Sequence, residues 1–552
     1  MSSANRTSFS GLVIAGAIVV AVIVFIVLLR PSGFEGDIEP MGPGKKADYF
    51  DITTPDALIR TRSLSQLPAD LLRVPLARDV LTEDFVSYYE HHEQKLSLSG
   101  AIRRIAYEHR LNLPESLLQS VFDEPAEVAL WRANDGRLKY FVIAMTRNAL
   151  ARALQTVLPV LPDAQLSHAG ELGDTDVPVL LLNVGRRQLL LLSRGDRVVV
   201  LSHAGMLLSG YGDGQTWPDQ DGETARVIAR LLDIDADDLS PFATRYGLGK
   251  RGSDETHRVV VGADVYTFGY NAFATGIEAL DFTFDAAGNW RAGTLVNMAA
   301  LPASGLDGSG VWAALPHGAS LCGLMPVDWD KLSGLAETLD ADAEGEVRIG
   351  TLFAGPAAVC WYGDSRLYTP LFVATLKAEL SEADATRLRE LFTAAIGPVD
   401  AATPDMPKHF WSRRIDSRHG VAEGGTRALT PGLAVAERTV VFSPDRTLVE
   451  KALSVNDKLY PALADSLPQS ARTLALVEPK ALSALLSREV LAALPRSEEA
   501  EFRNAADAYL MPRLETLAAY PPFRLVRGDL PKEGRSWQTL QWEFVSPAGN
   551  AQ

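Results

Sequence analysis

The sequence predicts an α+β fold: an N-terminal transmembrane helix followed by two pseudo-repeated lobes with mainly antiparallel sheets and helices on one face. Three observations carry this. Residues Gly11 to Leu29 are apolar without a single charge, strand pairs of alternating polarity recur through the rest of the chain, and the blocks that contain them come twice in the same order.

The apolar run, GLVIAGAIVVAVIVFIVLL, is nineteen residues long, about 28 Å of helix at about 1.5 Å per residue, close to the hydrocarbon thickness of a bilayer. Its β-branched residues are indifferent helix formers in water, whereas lipid obliges the backbone to satisfy its own hydrogen bonds. A cleaved signal peptide is the competing reading. Against it, the run is longer than a usual signal core, and RPSGFEGDIEP, which follows, has no A-x-A-like cleavage site. Arg6 and Arg30 flank the run and balance each other, so orientation rests on the small tail and the large body beyond. The predicted organisation is a cytoplasmic tail over 1–10, a single-pass helix over 11–29 in contact with the lipid bilayer, and a Pro- and Gly-rich linker over 30–47. An exported first lobe over 48–305 and a second over 306–552 follow.

A hydrophobic content of 47% in 552 residues is ample for large cores. The formal net charge of -16 argues against a nucleic-acid partner, which needs a basic footprint to displace counterions.

The duplication is read from five blocks. DALIRTRSLSQLPADLL (Asp56 to Leu72) is set against ASLCGLMPVDWDKLSGL (Ala319 to Leu335), and the strand pair EVALWRANDGRLKYFVIAM (Glu127 to Met145) against AAVCWYGDSRLYTPLFVAT (Ala357 to Thr375), so that Trp131 matches Trp361. Helices at Thr146 to Leu158 and Leu380 to Ile396 follow with apolar residues at helical spacing. DRVVVLSHAGML (Asp196 to Leu207) matches ERTVVFSPDRTL (Glu437 to Leu448), a strand ending in Ser before a helix start. A hairpin at Leu280 to Asn297 matches one at Leu525 to Trp542. The first lobe alone carries two further helical stretches, Leu76 to Gln94 and Leu98 to Leu113, the former with Leu76, Val80, Leu81, Phe85, Val86 and Tyr89 on one face.

Chemistry is scarce. Cys322 and Cys360 both sit in apolar, strand-like runs, and two readings stay open: unpaired small core residues, or a disulfide if the strands are neighbours in an oxidising compartment. The EHHE run at Glu90 to Glu93 lacks the spacing that puts two histidines on one helical face, and reads as a solvated helix end. DADAEG at Asp340 to Gly345 opens like a calcium loop, but Thr351 stands where the bidentate carboxylate belongs; DIDADD at Asp233 to Asp238 lacks the glycine too. Ser202 beside His203 invites a hydrolase, yet neighbours on a strand face opposite ways. Nucleophile elbows, P-loops and dinucleotide fingerprints are absent. No catalytic, cofactor-binding or metal residue is therefore assigned. HFWSRRIDSRH presents Trp411, Arg413, Arg414 and Arg418 as a candidate contact for a partner or an anion, with structural capping or pairing to the acidic body as the plainer reading. The RGD triplets at Arg194 and Arg527 read as hairpin turns.

The combination DALIRTRSLSQLPADLLRVPLARDVLTEDFVSYYEH, IRRIAYEH, PAEVALWR with DGRLKYF, and CWYGDSRLYTPLFVA resembles the YfaA-like family of bacterial envelope proteins over most of the chain after the linker. Members are typically encoded beside bacterial α2-macroglobulins, large periplasmic protease-trapping proteins. The resemblance implies a shared envelope task, with the anchor in the bacterial inner membrane and the bulk in the periplasm, and carries over no catalytic residue. The leading expectation is a non-enzymatic, membrane-anchored periplasmic binding or scaffold protein, an accessory component of an α2-macroglobulin system. The alternative is an envelope hydrolase acting on peptide or cell-wall material from a site between the lobes.

Overall fold

The computed structural model describes residues 51–63, 125–493, 507 and 511–545, apart from 133–137, 147–165, 174, 185–186, 210–216, 219–221, 234–238, 268–270, 288, 303–304, 333–348, 401–408, 418–426 and 469. The tail, the apolar run over 11–29, the linker, the helical stretches at 76–94 and 98–113, most of 146–158, the EHHE run, Arg418 and both acidic turns but for Asp233 lie outside these residues.

The described residues divide into two compact units, the first drawn from 51–267 with 279–295 and the second from 271–278 with 296–545. Among the described residues twenty-three strands pair in antiparallel ladders, four of them in two separate small hairpins. Those of the first unit are β1 (Ala57–Thr61), β2 (Ala126–Arg132), β3 (Leu138–Thr146), β4 (Leu166–Glu171), β5 (Pro178–Val184), β6 (Arg187–Arg194) and β7 (Arg197–Leu201). After a separate hairpin of β8 (Leu208–Ser209) and β9 (Trp217–Pro218) come β10 (Glu255–Gly262), β11 (Ile277–Asp285) and β12 (Trp290–Asn297). Pairing runs β11-β10-β1-β2-β3-β7-β6-β5-β4. The leucine-rich β5 and β6 alternate: Val179, Leu181, Leu190 and Leu192 are buried, and their sequence neighbours less so. Helix α1 (Glu223–Asp233) packs Val227, Ile228, Leu231 and Leu232 inward and lies against β6 and β7. A short α2 (Pro241–Arg245) and α3 (Ala263–Tyr266) also lie in this unit.

The second unit contains β13 (Ala319–Met325), β14 (Phe353–Tyr362), β15 (Leu371–Leu376), β16 (Phe410–Ser412), β17 (Ile415–Ser417), β18 (Arg427–Leu429), β19 (Gly432–Ala436), β20 (Thr439–Ser443), β21 (Thr473–Val477), β22 (Phe523–Arg527) and β23 (Arg535–Phe544). Apart from the small β17-β18 hairpin, pairing runs β23-β22-β21-β13-β14-β15-β20-β19-β16. The scheme is that of the first unit. There Val128, Ala129 and Leu130 face Ile143, Val142 and Phe141; in the second, Ala358, Val359 and Cys360 face Val373, Phe372 and Leu371, every partner advanced by the same number of positions.

The expectation of a transmembrane helix and of helices on one face is corrected here. Among the described residues no helix is long and apolar enough to cross a membrane. The longest, α5 (Glu382–Ile396) and α7 (Pro479–Ala493), have fifteen residues each, about 22 Å at about 1.5 Å per residue, and α5 is studded with charges. Helices also cover both faces of the second unit's sheet. Phe353, Ala357, Ala374 and Val440 pack with Leu388 and Phe392 of α5. Their alternates Ala358, Cys360, Val373 and Val441 pack with Trp312 of α4 (Ser309–Ala314) and with Leu448, Val449 and Leu453 of α6 (Arg446–Asn456). The reason is in the strands, which are apolar at odd and even positions alike, so both faces have to be shielded from water. Helix α7 adds Leu482 to the cluster of Val477 and Phe523, and α8 (Met511–Ala518) packs against α7.

Trp312 is fully buried at the centre of one such cluster, its Nε1 donating to the Thr473 carbonyl at 3.2 Å. Trp312→Ala is expected to destabilise the protein by about 3–5 kcal/mol, read by denaturant unfolding; a change within experimental error would show that the α4 face is not a core.

Candidate functional site

On β1, Arg60 shares a face with Leu58, and the register sets it opposite Glu127 of β2 and Arg258 of β10. Three charges thus meet on three neighbouring strands, and further carboxylates join them. Arg60 Nη2 donates to Glu255 Oε1 at 2.8 Å with both side chains 6% exposed. Arg258 Nη2 lies 2.5 Å from Asp281 Oδ2, and its Nη1 lies 3.9 Å from Glu255 Oε2. Ser240, the N-cap of α2, accepts from Ala243 N at 2.9 Å and donates to Glu127. Burial pushes the Glu127 carboxyl above the usual range, against the opposing pull of Ser240, Arg60, Arg251 and Arg197. Burial likewise raises Asp281, against Arg258. A network of this kind is held by mutual pairing, since any member left alone would be a buried charge.

On the opposite face of the same strands, Thr61 Oγ1 lies 2.7 Å from Nδ1 of the fully buried His257, whose ring meets that of Phe284 edge-on. Ser202 and His203 are occupied separately. Ser202 Oγ accepts from Phe141 N at 2.8 Å, and His203 Nδ1 accepts from Gly205 N at 2.9 Å to cap the turn of 204–206. Among the described residues, no group of three or more His, Cys, Asp or Glu side chains could hold a metal ion.

In the second unit, Cys322 of β13 and Cys360 of β14 are directly opposed in register, with Cα atoms 4.2 Å apart, and are joined by a disulfide. Both are fully buried among Trp312, Tyr362, Leu371 and Val373. Tyr362 lies beside them, its hydroxyl donating to the Pro316 carbonyl at 3.0 Å and its ionisation pushed up by burial.

The string of aromatic and basic residues after His409 is dispersed by the fold. Trp411 is buried, in the cluster that α5 covers. Arg413 Nη1 donates at 3.0 Å to the carbonyl of Ile396, the last residue of α5. Gly397, which ends that helix at φ 88°, has no room for a side chain because the Arg413 guanidinium fills the space. Arg414 is exposed. The RGD at Arg194 turns β6 into β7, with Gly195 at φ 54° between the paired Arg194 and Arg197. The charged layer on β1, β2 and β10 was not legible in the sequence, since its members come from segments nearly two hundred positions apart. One signal was there to be used, the glycine-rich basic stretch GLGKRGSD at 247–254.

Fold and side chains define a two-unit antiparallel protein in which, among the described residues, the charged layer of Arg60, Glu255 and Asp281 is buried. The chain belongs to the bacterial family described as "Uncharacterized protein conserved in bacteria (DUF2138)", whose profile matches residues 11–543. It is 32% identical over 565 residues to "Uncharacterized protein YfaA" of Escherichia coli (strain K12), which covers 96% of this chain and 97% of that one. A solved structure titled "Structure of crystal form IV of TP0453" is 11% identical and covers 44% of this chain and 77% of its own, at a TM-score of 0.22, too low to bear on the fold.

Glu127 gives a pH dependence with a fixed sign. Its folded-state pKa lies above the unfolded value, so its contribution to stability is complete below the ordinary carboxylate range and is lost as pH rises through the folded pKa. Glu127→Gln keeps an acceptor for Ser240 and cannot ionise. Relative to wild type, this variant is expected to gain stability as pH rises from about 4 to neutrality, measured as paired melting curves; a constant difference across that range would refute the assignment.

Proposed function

We propose that this chain is a non-enzymatic binding or scaffold protein on the periplasmic side of the bacterial envelope. The observation that carries the compartment is the buried Cys322–Cys360 bond. Disulfides persist where thiols are not kept reduced, and a cysteine pair sealed in a sheet has no access to substrate for redox catalysis. Closing a loop of sequence separation 38 stabilises the fold by about 4 kcal/mol in the chain-entropy account. The non-enzymatic part draws on how the polar side chains are spent. Arg60, Glu255, Arg258 and Asp281 pair with one another, and Ser202 and His203 hold backbone amides. The family resemblance points to an α2-macroglobulin as the partner class.

Two measurements test this. Alkylation of the full-length protein under denaturing conditions, without reductant, is expected to leave both cysteines unmodified when the protein is taken from its native cells; full modification of both would remove the compartment argument. Crosslinking in intact cells with a reagent confined to the periplasm, followed by purification of the chain, is expected to recover the cell's own α2-macroglobulin well above an unrelated envelope control, and recovery equal to the control would sink the scaffold reading.

A further inference from the structure

The segment Gly247-Leu248-Gly249-Lys250-Arg251-Gly252-Ser253-Asp254 leaves α2 through Gly247 at φ 59° and returns the chain to β10. Two arginines of the neighbouring strand-end fasten it by its carbonyls. Arg60 Nη1 donates to the Gly249 oxygen at 3.0 Å, and Arg62 Nη2 donates to the oxygens of Gly252, at 3.4 Å, and Ser253. These fastenings bring Arg251 close enough to Arg60 and Arg62 for both to repel its charge.

Arg251 is half-buried, and among the described residues it makes no hydrogen bond or ion pair. A guanidinium carries five donors in a planar fork, and withdrawing it from water without a partner is unfavourable. The carboxylates that face it, Glu127 and Glu255, act on it only through space, because Glu255 is held by Arg60 and Glu127 by Ser240. Arg258 is matched by Asp281. The loop's own acid, Asp254, is exposed and accepts from Ser253 Oγ at 3.1 Å. Lys250, Arg251 and Arg62 therefore remain as a cationic group that reaches solvent, in a chain whose net charge is -16. Burial and then the charge of Arg60 draw the Arg251 pKa downward, against the pull of Glu255 and Glu127.

We propose that Arg251, with Lys250 and Arg62, forms a binding site for a phosphoryl oxyanion, free or carried by a lipid headgroup. Arg251 supplies the planar fork, which suits two oxygens of such a group; Lys250 adjoins it in the loop, and Arg62, just past the end of β1, is held on the same loop by its bonds to Gly252 and Ser253. A tetrahedral group accepts donors from several sides at once, which a planar carboxylate does less well. Loss of the disulfide reading would leave this site untouched, and absence of anion binding would leave the compartment reading untouched.

The test uses the full-length protein and inorganic phosphate, with potassium chloride at matched ionic strength as the baseline. Phosphate is expected to raise the melting temperature of wild type beyond chloride, and Arg251→Gln to weaken phosphate binding at least about ten-fold, a difference of about 1.4 kcal/mol. Arg414→Gln, at an exposed position of the second unit, is expected to bind as wild type does. If Arg251→Gln fails to fold, Arg251→Lys keeps the charge without the fork and is expected to bind with intermediate strength. Sedimentation with phosphatidylglycerol vesicles but not phosphatidylcholine vesicles, lost in the Arg251 variant, would place the phosphoryl group on a lipid; phosphate binding without vesicle binding would assign a free anion. Failure of both phosphate and phosphatidylglycerol to bind in a manner that depends on Arg251 would overturn the proposal.

Discussion

Strand register is the constraint on which the rest of the structure depends. Successive side chains on a strand point to opposite faces, so a slip of one residue between β1 and β2 would turn Arg60 into the apolar cluster of Ala57, Val128 and Leu130 and set Ile59 among the carboxylates. The same slip between β13 and β14 would part Cys322 from Cys360. Each unit therefore fixes its register with a device that tolerates no slip. The first has a charged layer in which Arg60 and Arg258 find their carboxylates, and the second has a covalent bond. The matching position of the first unit holds Ala57 opposite Leu130, with no sulfur.

Much of the strand content could be read from the chain, because alternation and tight turns are local signals. The block from Glu127 to Met145 lines up with that from Ala357 to Thr375 residue for residue in the observed ladders, and the block ending in Ser202 lines up with that ending in Ser443. Elsewhere the alignment slips. The block openings set Asp56 against Ala319, whereas the ladders set Ala57 against Cys322; for the last hairpin the ladders set Leu280 against Arg524, not Leu525. The register shifts within the β13–β14 and β21–β22 ladders are of the kind that string matching cannot see.

What stayed hidden was non-local. Trp411 and Arg413 look like a surface patch because they sit beside Arg414, yet the covering of both sheet faces buries the first together with its strand neighbours, and the C-terminus of α5 claims the second. Arg60 and Glu255 are buried partners at a sequence separation of 195. Helices on both sheet faces follow from strands apolar on both sides, and reading only the half-buried alternation led to the one-sided expectation. The basic loop at 247–254 was missed for a different reason, since its composition matches no phosphate-loop motif and its meaning depends on Arg60 and Arg62 lying beneath it.

A shared register in both units is the central claim, and it can be tested by building into the first unit what the second already has. Ala57→Cys with Leu130→Cys places sulfurs at the positions that correspond to Cys322 and Cys360. Peptide mapping of the oxidised full-length double variant should find a bond between residues 57 and 130 alongside the native one, with the melting temperature unchanged or raised. Free thiols at both new positions, or bonds that mix new and native cysteines, would contradict the account.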